Sequence, residues 1–250
     1  MGLTFSEKPY PEYDPARSLR ELGEHELSHQ QKDYLKSLEG ERPDFSTKVQ
    51  SHILPCTEIG YFKIDMFDDA EFSETRTIID EAMKKIVDAK ALIIDLRENS
   101  GGDASTVAIV ASYLFDEKQL INRLYQRCSD ETTCFFAEPE KLEQVFGGKK
   151  PIYVLISQKT FSGGEELAYN LKVSERAELI GQTTWGGAHP VRSFVIDDHI
   201  CATIPFAKAI NPHTGTNWEG VGVTPDYRIS QEEDGVAFAL NLLNINPSLN

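Results

Sequence analysis

Ala91-Leu92-Ile93-Ile94-Asp95-Leu96-Arg97-Glu98-Asn99-Ser100-Gly101-Gly102-Asp103 runs from an apolar stretch into a small-residue turn, and a helical pattern follows over residues 104–115. A run apolar at both odd and even positions reads as a strand covered on both faces. The same order returns further on. Pro151-Ile152-Tyr153-Val154-Leu155-Ile156-Ser157 is a second such strand and Thr160-Phe161-Ser162-Gly163-Gly164-Glu165 a second turn. Glu165-Glu166-Leu167-Ala168-Tyr169-Asn170-Leu171-Lys172 is the helix after it, and Glu178-Leu179-Ile180-Gly181 another short strand. Strands alternating with helices predict an α/β fold with a largely parallel sheet. Sheets of that kind bind ligands beyond the carboxyl ends of their strands. Gly101–Gly102 and Ser162–Gly163 are therefore expected to face one cleft.

On the N-terminal side of the first run, residues 52–55 and 58–65 read as strands around a turn. Residues 73–89 form an amphipathic helical pattern with Ile78, Ile79, Ala82, Met83, Ile86 and Val87 on one face. The tail carries strand patterns near 193–196 and 201–205, a turn-rich stretch over 211–217 and a terminal helix near 236–243. Residues 1–50 are different: charged, with Pro9, Pro11 and Pro15 early, then helical stretches near 18–27 and 31–38. They read as an N-terminal arm, a remnant of a helical subdomain, ahead of a core over 51–250.

The chain has 250 residues, enough for a sizeable core. Its 25 basic and 40 acidic residues give a net charge of −15, which argues against a nucleic-acid or anionic-membrane surface. No stretch is apolar for long enough to span a bilayer, and Met1-Gly2-Leu3-Thr4-Phe5-Ser6 has no export signal. The four cysteines lack metal-site spacing, so no structural metal is expected. Cys128 and Cys134 bracket a polar, loop-like stretch that could close a disulfide in an oxidising compartment; two unrelated thiols fit equally well.

Ser162 is the residue with chemical potential. A serine at a helix entrance has unpaired N–H groups and the positive end of the helix dipole beside it, which could stabilise an oxyanion during acyl transfer. The plainer reading is an N-cap, with Glu165 completing a capping box.

Four segments together carry a resemblance. The stretch 92–102, the turn 160–165, Gly181-Gln182-Thr183-Thr184-Trp185-Gly186-Gly187 and Asn217-Trp218-Glu219-Gly220-Val221-Gly222-Val223-Thr224-Pro225-Asp226 resemble, in this order, the tail-specific serine proteases, which include the carboxy-terminal processing proteases and the tricorn core. The likeness covers residues 53–230. It is closest to the interphotoreceptor retinoid-binding protein-like branch, which has a similar Leu124-Tyr125-Gln126-Arg127 to Thr132-Thr133 segment. The resemblance implies a ClpP/crotonase-like core of repeated ββα units and peptide or unfolded-protein substrates, with no metal or organic cofactor. It also implies roles: Ser162 as nucleophile, Gly163 and the Gly101–Gly102 loop as oxyanion donors, and Glu219 as the carboxylate that orients a histidine. The family's exported members suggest a periplasmic or extracellular setting, and oligomeric assembly is left open.

There are departures. The lysine base that the processing proteases carry about 25 residues past the serine is missing, since that stretch reads Trp185-Gly186-Gly187-Ala188-His189. Tricorn-like enzymes take a histidine from an upstream helical region, and Met1-Gly2-Leu3-Thr4-Phe5 resembles the strand just after it. There is no room for a PDZ module before Ile59. His189 is then the nearest candidate base, with His25, His29, His52, His199 and His213 further away in sequence. The expected function is a serine peptidase or its core. The rivals are a non-catalytic module binding a retinoid or lipid-like ligand in an apolar cleft, and an acyl-CoA enzyme.

Overall fold

A computed structural model of the chain describes residues 2–5, 44–195 and 200–245. The two apolar runs lie side by side and parallel, Leu92 opposite Ile152 and Asp95 opposite Leu155. In chain order the elements are β1 (Gly2–Phe5), β2 (Val49–Ile53), β3 (Ile59–Ile64), α1 (Ser73–Lys84), β4 (Ala91–Asp95), α2 (Ala104–Ser112), β5 (Gln119–Gln126) and β6 (Glu131–Ala137). They continue with β7 (Ile152–Ile156), α3 (Gly163–Val173), β8 (Glu178–Gly181), β9 (Val191–Val195), β10 (Ile200–Pro205), β11 (Lys208–Ile210), β12 (Tyr227–Arg228) and α4 (Gly235–Leu242). The main sheet is ordered β12-β8-β7-β4-β3-β2, and only its β2–β3 pair is antiparallel.

Alternate side chains of β4 and β7 enter two different cores. Leu92, Ile94, Ile152, Val154 and Ile156 pack with Ile79 and Met83 of α1, Val107 and Val110 of α2, and Leu167 and Leu171 of α3. Ala91, Ile93, Tyr153 and Leu155 face the other way, towards Ala239 and Leu240 of α4. Both faces are covered, which is why the runs show no polar alternation. The helix read over 73–89 ends earlier, at Lys84, while Ile86 and Val87 stay buried beyond its end. Its β-branched Thr75, Thr77, Ile78 and Ile79 each cost up to roughly 0.7 kcal/mol in helix propensity. Burying Ile79 and Met83 contributes roughly 1.5–3 kcal/mol each. Packing therefore outweighs propensity in placing α1.

The segment between the two strand–turn–helix units is a hairpin. β5 pairs with β6 on one side and β11 on the other. The stretch read as loop-like is the hairpin turn plus the start of β6, with Cys134 on the ladder opposite Arg123 and Cys128 in the turn. Both thiols are free and exposed, so the disulfide reading is corrected: the strand register carries Cys134 away from the turn. A third sheet is ordered β1-β10-β9, with Gly2 opposite Thr203. The helical stretches expected near 18–27 and 31–38, and His25, His29 and His199, lie outside the described residues. Among the described residues no helix is long and apolar enough to cross a membrane.

Candidate active site

The turns after β4 and β7 meet at the carboxyl ends of these strands. After β4 the chain folds around the buried Asn99, whose Nδ2 donates to the Ile64 carbonyl (2.9 Å) and whose Oδ1 accepts from the Gly101 N–H (2.8 Å). The Asn99 carbonyl accepts from the Phe161 N–H at 3.0 Å, which ties this turn to the one after β7. Phe67 pairs alongside: its N–H donates to Gly101 O (2.7 Å), and its carbonyl accepts from the Asp103 N–H (2.8 Å). Gly102 has φ 131°, and a Cβ there would stand 1.9 Å from Phe67 O, so a larger residue would break this pairing.

Ser162 caps α3 with φ 48° and ψ −114°. Ordinary N-caps are extended, and holding a non-glycine residue in so sparsely populated a region costs about 1–3 kcal/mol. The Ser162 N–H donates to Glu165 Oε2 at 2.9 Å within a capping box. The capping reading and the nucleophile reading thus fall on one residue, because the cap holds the serine in a conformation it would not otherwise keep.

The backbone donors around Ser162 separate into used and free. Gly101 gives its N–H to Asn99. The N–H groups of Gly102 and Gly163 donate to no acceptor among the described residues, and Gly102 N lies 3.2 Å from where a Cβ on Gly163 would stand. Gly101 in turn abuts Ser162, since a Cβ on it would lie 2.6 Å from Ser162 Cβ. Two adjacent free donors at the N-terminal ends of α2 and α3 can hold an oxygen that gains negative charge.

Glu165 does more than cap. It is wholly buried; Oε1 accepts from the Thr184 hydroxyl (2.5 Å) and the Gly186 N–H (2.6 Å), and Oε2 from the N–H groups of Ser162 and Gly187 (2.9 Å each). Thr184 Oγ1 itself accepts from the Val223 N–H at 2.7 Å. One carboxyl group thus binds the serine turn to residues 184–187 and, through Thr184, to Val223. Sequence reasoning gave Glu165 only the cap and gave Asn99 no part. The one available signal was the glutamate at the third helical position.

Glu219 and His189 come together elsewhere. Glu219 Oε2 accepts from the N–H groups of Ala188 (2.7 Å) and His189 (3.3 Å) and lies 3.8 Å from His189 Nδ1, beyond hydrogen-bond reach. His189 Nε2 is 3.4 Å from Asn217 Nδ2. No described histidine hydrogen-bonds to Ser162 Oγ. The structure therefore gathers Ser162 with Gly102 and Gly163, gathers Glu219 with His189, and does not join the two groups. About 25 positions past Ser162 stands Gly187, where a Cβ would meet the Phe161 ring at 2.3 Å, so that ring fills the space a lysine there would need.

A cavity of about 510 Å³ also opens at the carboxyl ends of β4, β7 and β8, lined by Tyr61, Lys63, Asp95, Arg97 and Gln182 among others, but Ser162 does not line it. Its central charges are already matched. Arg97 donates from Nε and Nη2 to the two oxygens of Asp95 (2.9 and 2.6 Å), and the Tyr61 hydroxyl donates to Asp95 Oδ2 (2.7 Å). Burial works against the Asp95 carboxylate, and the bonds from Arg97 and Tyr61 overcome it, holding its pKa below the ordinary value. This network is satisfied as it stands, whereas the serine turn has free donors.

The profile of the family described as Peptidase family S41 matches residues 58–229. A carboxy-terminal-processing protease of Bartonella bacilliformis is 26% identical over 176 residues, which are 70% of this chain and 39% of that protein. The carboxy-terminal processing protease CtpA of Bacillus subtilis is 30% identical over 151 residues, 60% of this chain and 30% of its own length. The chain thus spans well under half the length of these relatives. Among solved structures, the photosystem II D1 C-terminal processing protease superposes with a TM-score of 0.58 at 20% identity, covering 74% of this chain and 49% of that one. Mature CPAF complexed with lactacystin gives 0.57 at 16% identity, covering 72% and 49%. These likenesses bear out the ClpP/crotonase-like α/β core expected from the sequence.

Proposed function

Because the chain belongs to peptidase family S41, we propose that it carries the serine centre of a peptidase, with Ser162 as the nucleophile. The observation that carries the proposal is Ser162 held at positive φ beside the unpaired N–H groups of Gly102 and Gly163. Ser162 Oγ attacks a peptide carbonyl, and the oxyanion is held by those two N–H groups. Collapse expels the amine, which receives the serine's proton from the general base, and water deprotonated by the same base then hydrolyses the acyl-enzyme, the proton returning to Ser162 Oγ. His189 takes the serine proton once its Nε2 turns from Asn217 to Ser162 and its Nδ1 closes the 3.8 Å to Glu219 Oε2; a histidine from outside the described residues is the other source. Peptide or unfolded-protein segments are the substrates. The rival module for a retinoid or lipid-like ligand has no observation in its favour.

The test is labelling with a fluorophosphonate, located by peptide mass spectrometry. Labelling at Ser162 that Ser162→Ala abolishes supports the reading, and its loss in His189→Ala identifies the base. A folded protein that stays unlabelled, even when joined to an upstream helical segment, refutes it.

A further inference from the structure

Directly after Glu165, Glu166 turns its side chain inward, into a polar layer between α2, α3 and β5. Glu166 is 6% exposed, Asn122 1% and Asn170 3%. Glu166 Oε1, Asn122 Nδ2 and Asn170 Nδ2 all lack hydrogen-bond partners. Asn122 sits beside an irregularity in β5, where the register with β6 shifts between Leu120 and Asn122. Asn211 fixes the far side of the layer, its Nδ2 donating to Asn170 Oδ1 (2.9 Å) and to the Ile121 carbonyl (3.3 Å). Three buried, unpaired polar atoms in one layer are unusual, since such groups are normally satisfied.

We propose that Glu166 serves as a neutral carboxylic acid locking the seam beneath the serine turn, and that loss of its proton loosens the seam and turns the site off. The groups facing it are the Asp103 carboxylate from α2 and the Asn122 amide from β5, with Asn170 one turn along α3. No basic side chain among the described residues pairs with it, so an ionised Glu166 would be a buried, uncompensated charge. Burial pushes its pKa up to about 8; the facing Asn122 amide works against this, and the Asp103 charge adds to it. The coupling to the site is short, because the Glu166 N–H donates to the Ser162 carbonyl at 2.8 Å. The switching of activity rests on Ser162 being the nucleophile; the lock itself does not.

The sign follows from linkage. The folded-state pKa lies above the ordinary 4.5, so the stability this group contributes is complete below about pH 4.5. It is lost as the pH rises to about 8, and the loss is constant beyond. Glu166→Gln keeps the neutral shape without the proton. Thermal unfolding of the two proteins from about pH 5 to about pH 9 should show Glu166→Gln gaining several degrees on the wild type with rising pH. A melting difference that does not change with pH overturns the lock. Infrared difference spectroscopy guards against a variant that merely packs badly: a protonated-carboxyl band persisting above neutral pH in the wild type and missing from Glu166→Gln supports the proposal, and its absence from the wild type refutes it. Fluorophosphonate labelling should slow several-fold between neutral pH and pH 9 in the wild type alone. An equal alkaline loss in both proteins breaks the link to the site. No labelling at any pH defeats the peptidase reading and leaves the other two measurements to decide the lock.

Discussion

The chain builds a strand, a glycine turn and a helix twice, and the two helix entrances differ. Asp103 caps α2 in the ordinary way, at φ −74° and ψ 130°, with its carboxylate accepting from the Thr106 N–H. Ser162 caps α3 at φ 48° and ψ −114°. Both turns are held from outside, the first by Asn99 reaching the Ile64 carbonyl and by the pairing with Phe67 just beyond β3. The second is held by the Asn99 carbonyl on Phe161 and by one buried carboxyl group, that of Glu165, which also binds residues 184–187. The relaxed entrance gives the free Gly102 N–H, and the strained one gives the serine and the free Gly163 N–H. Strain is concentrated at the one side chain that must project towards the other turn.

Glu165 should be the most sensitive position if one buried carboxyl group holds the second turn. Glu165→Ala removes the acceptor for the N–H groups of Ser162, Gly186 and Gly187 and for the Thr184 hydroxyl. Each buried donor left unpaired costs roughly 1–3 kcal/mol, so with four of them denaturant unfolding should show a loss of about 4 kcal/mol or more. Labelling of Ser162 should vanish even under conditions where the variant is folded. Asn99→Ala comes next, because it removes the bonds to Ile64 and Gly101 but leaves the backbone link to Phe161. Its expected cost is about 2–4 kcal/mol. Asn99→Asp keeps the acceptor for Gly101 but sets a buried carboxylate against the Ile64 carbonyl, so at neutral pH it should be at least as destabilised as Asn99→Ala. An Asn99→Asp protein as stable as the wild type at neutral pH would mean that the Ile64 bond contributes nothing.

Much of this architecture is readable in the residues, for identifiable reasons. Strands buried on both faces leave unbroken apolar runs at 91–96 and 152–156, and the turns between them and their helices are marked by paired glycines. The hairpin was hidden because β6 is exposed along most of its length, so its first residues are as polar as a loop. β11 and β12 are too short for any periodicity to show. At the site, Ser162, Gly102 and Gly163 stand in local motifs and could be found by eye. The fourfold acceptor role of Glu165 could not, because its partners at 184–187 are brought to it only by the fold. The same holds for the Asn217 contact of His189, which depends on how two tail turns cross.

The smallest expected effects separate the two helix entrances most directly, because they have opposite signs. Asp103→Ala removes an ordinary cap from α2 and should cost about 1 kcal/mol. Ser162→Gly removes a side chain at a backbone conformation that glycine adopts freely. Relief of the strain, set against the greater freedom glycine brings to the unfolded chain, leaves a net gain of up to about 1 kcal/mol. Labelling should be abolished in Ser162→Gly and retained in Asp103→Ala wherever the latter is folded. Ser162→Ala keeps a Cβ at φ 48°, so it should lose labelling without the gain in stability. If Ser162→Gly and Asp103→Ala are destabilised alike, the two helix entrances are energetically equivalent. The positive φ of Ser162 is then no longer strain held in place by Glu165 and Asn99, and the distinction between the two turns reduces to which residue carries the hydroxyl.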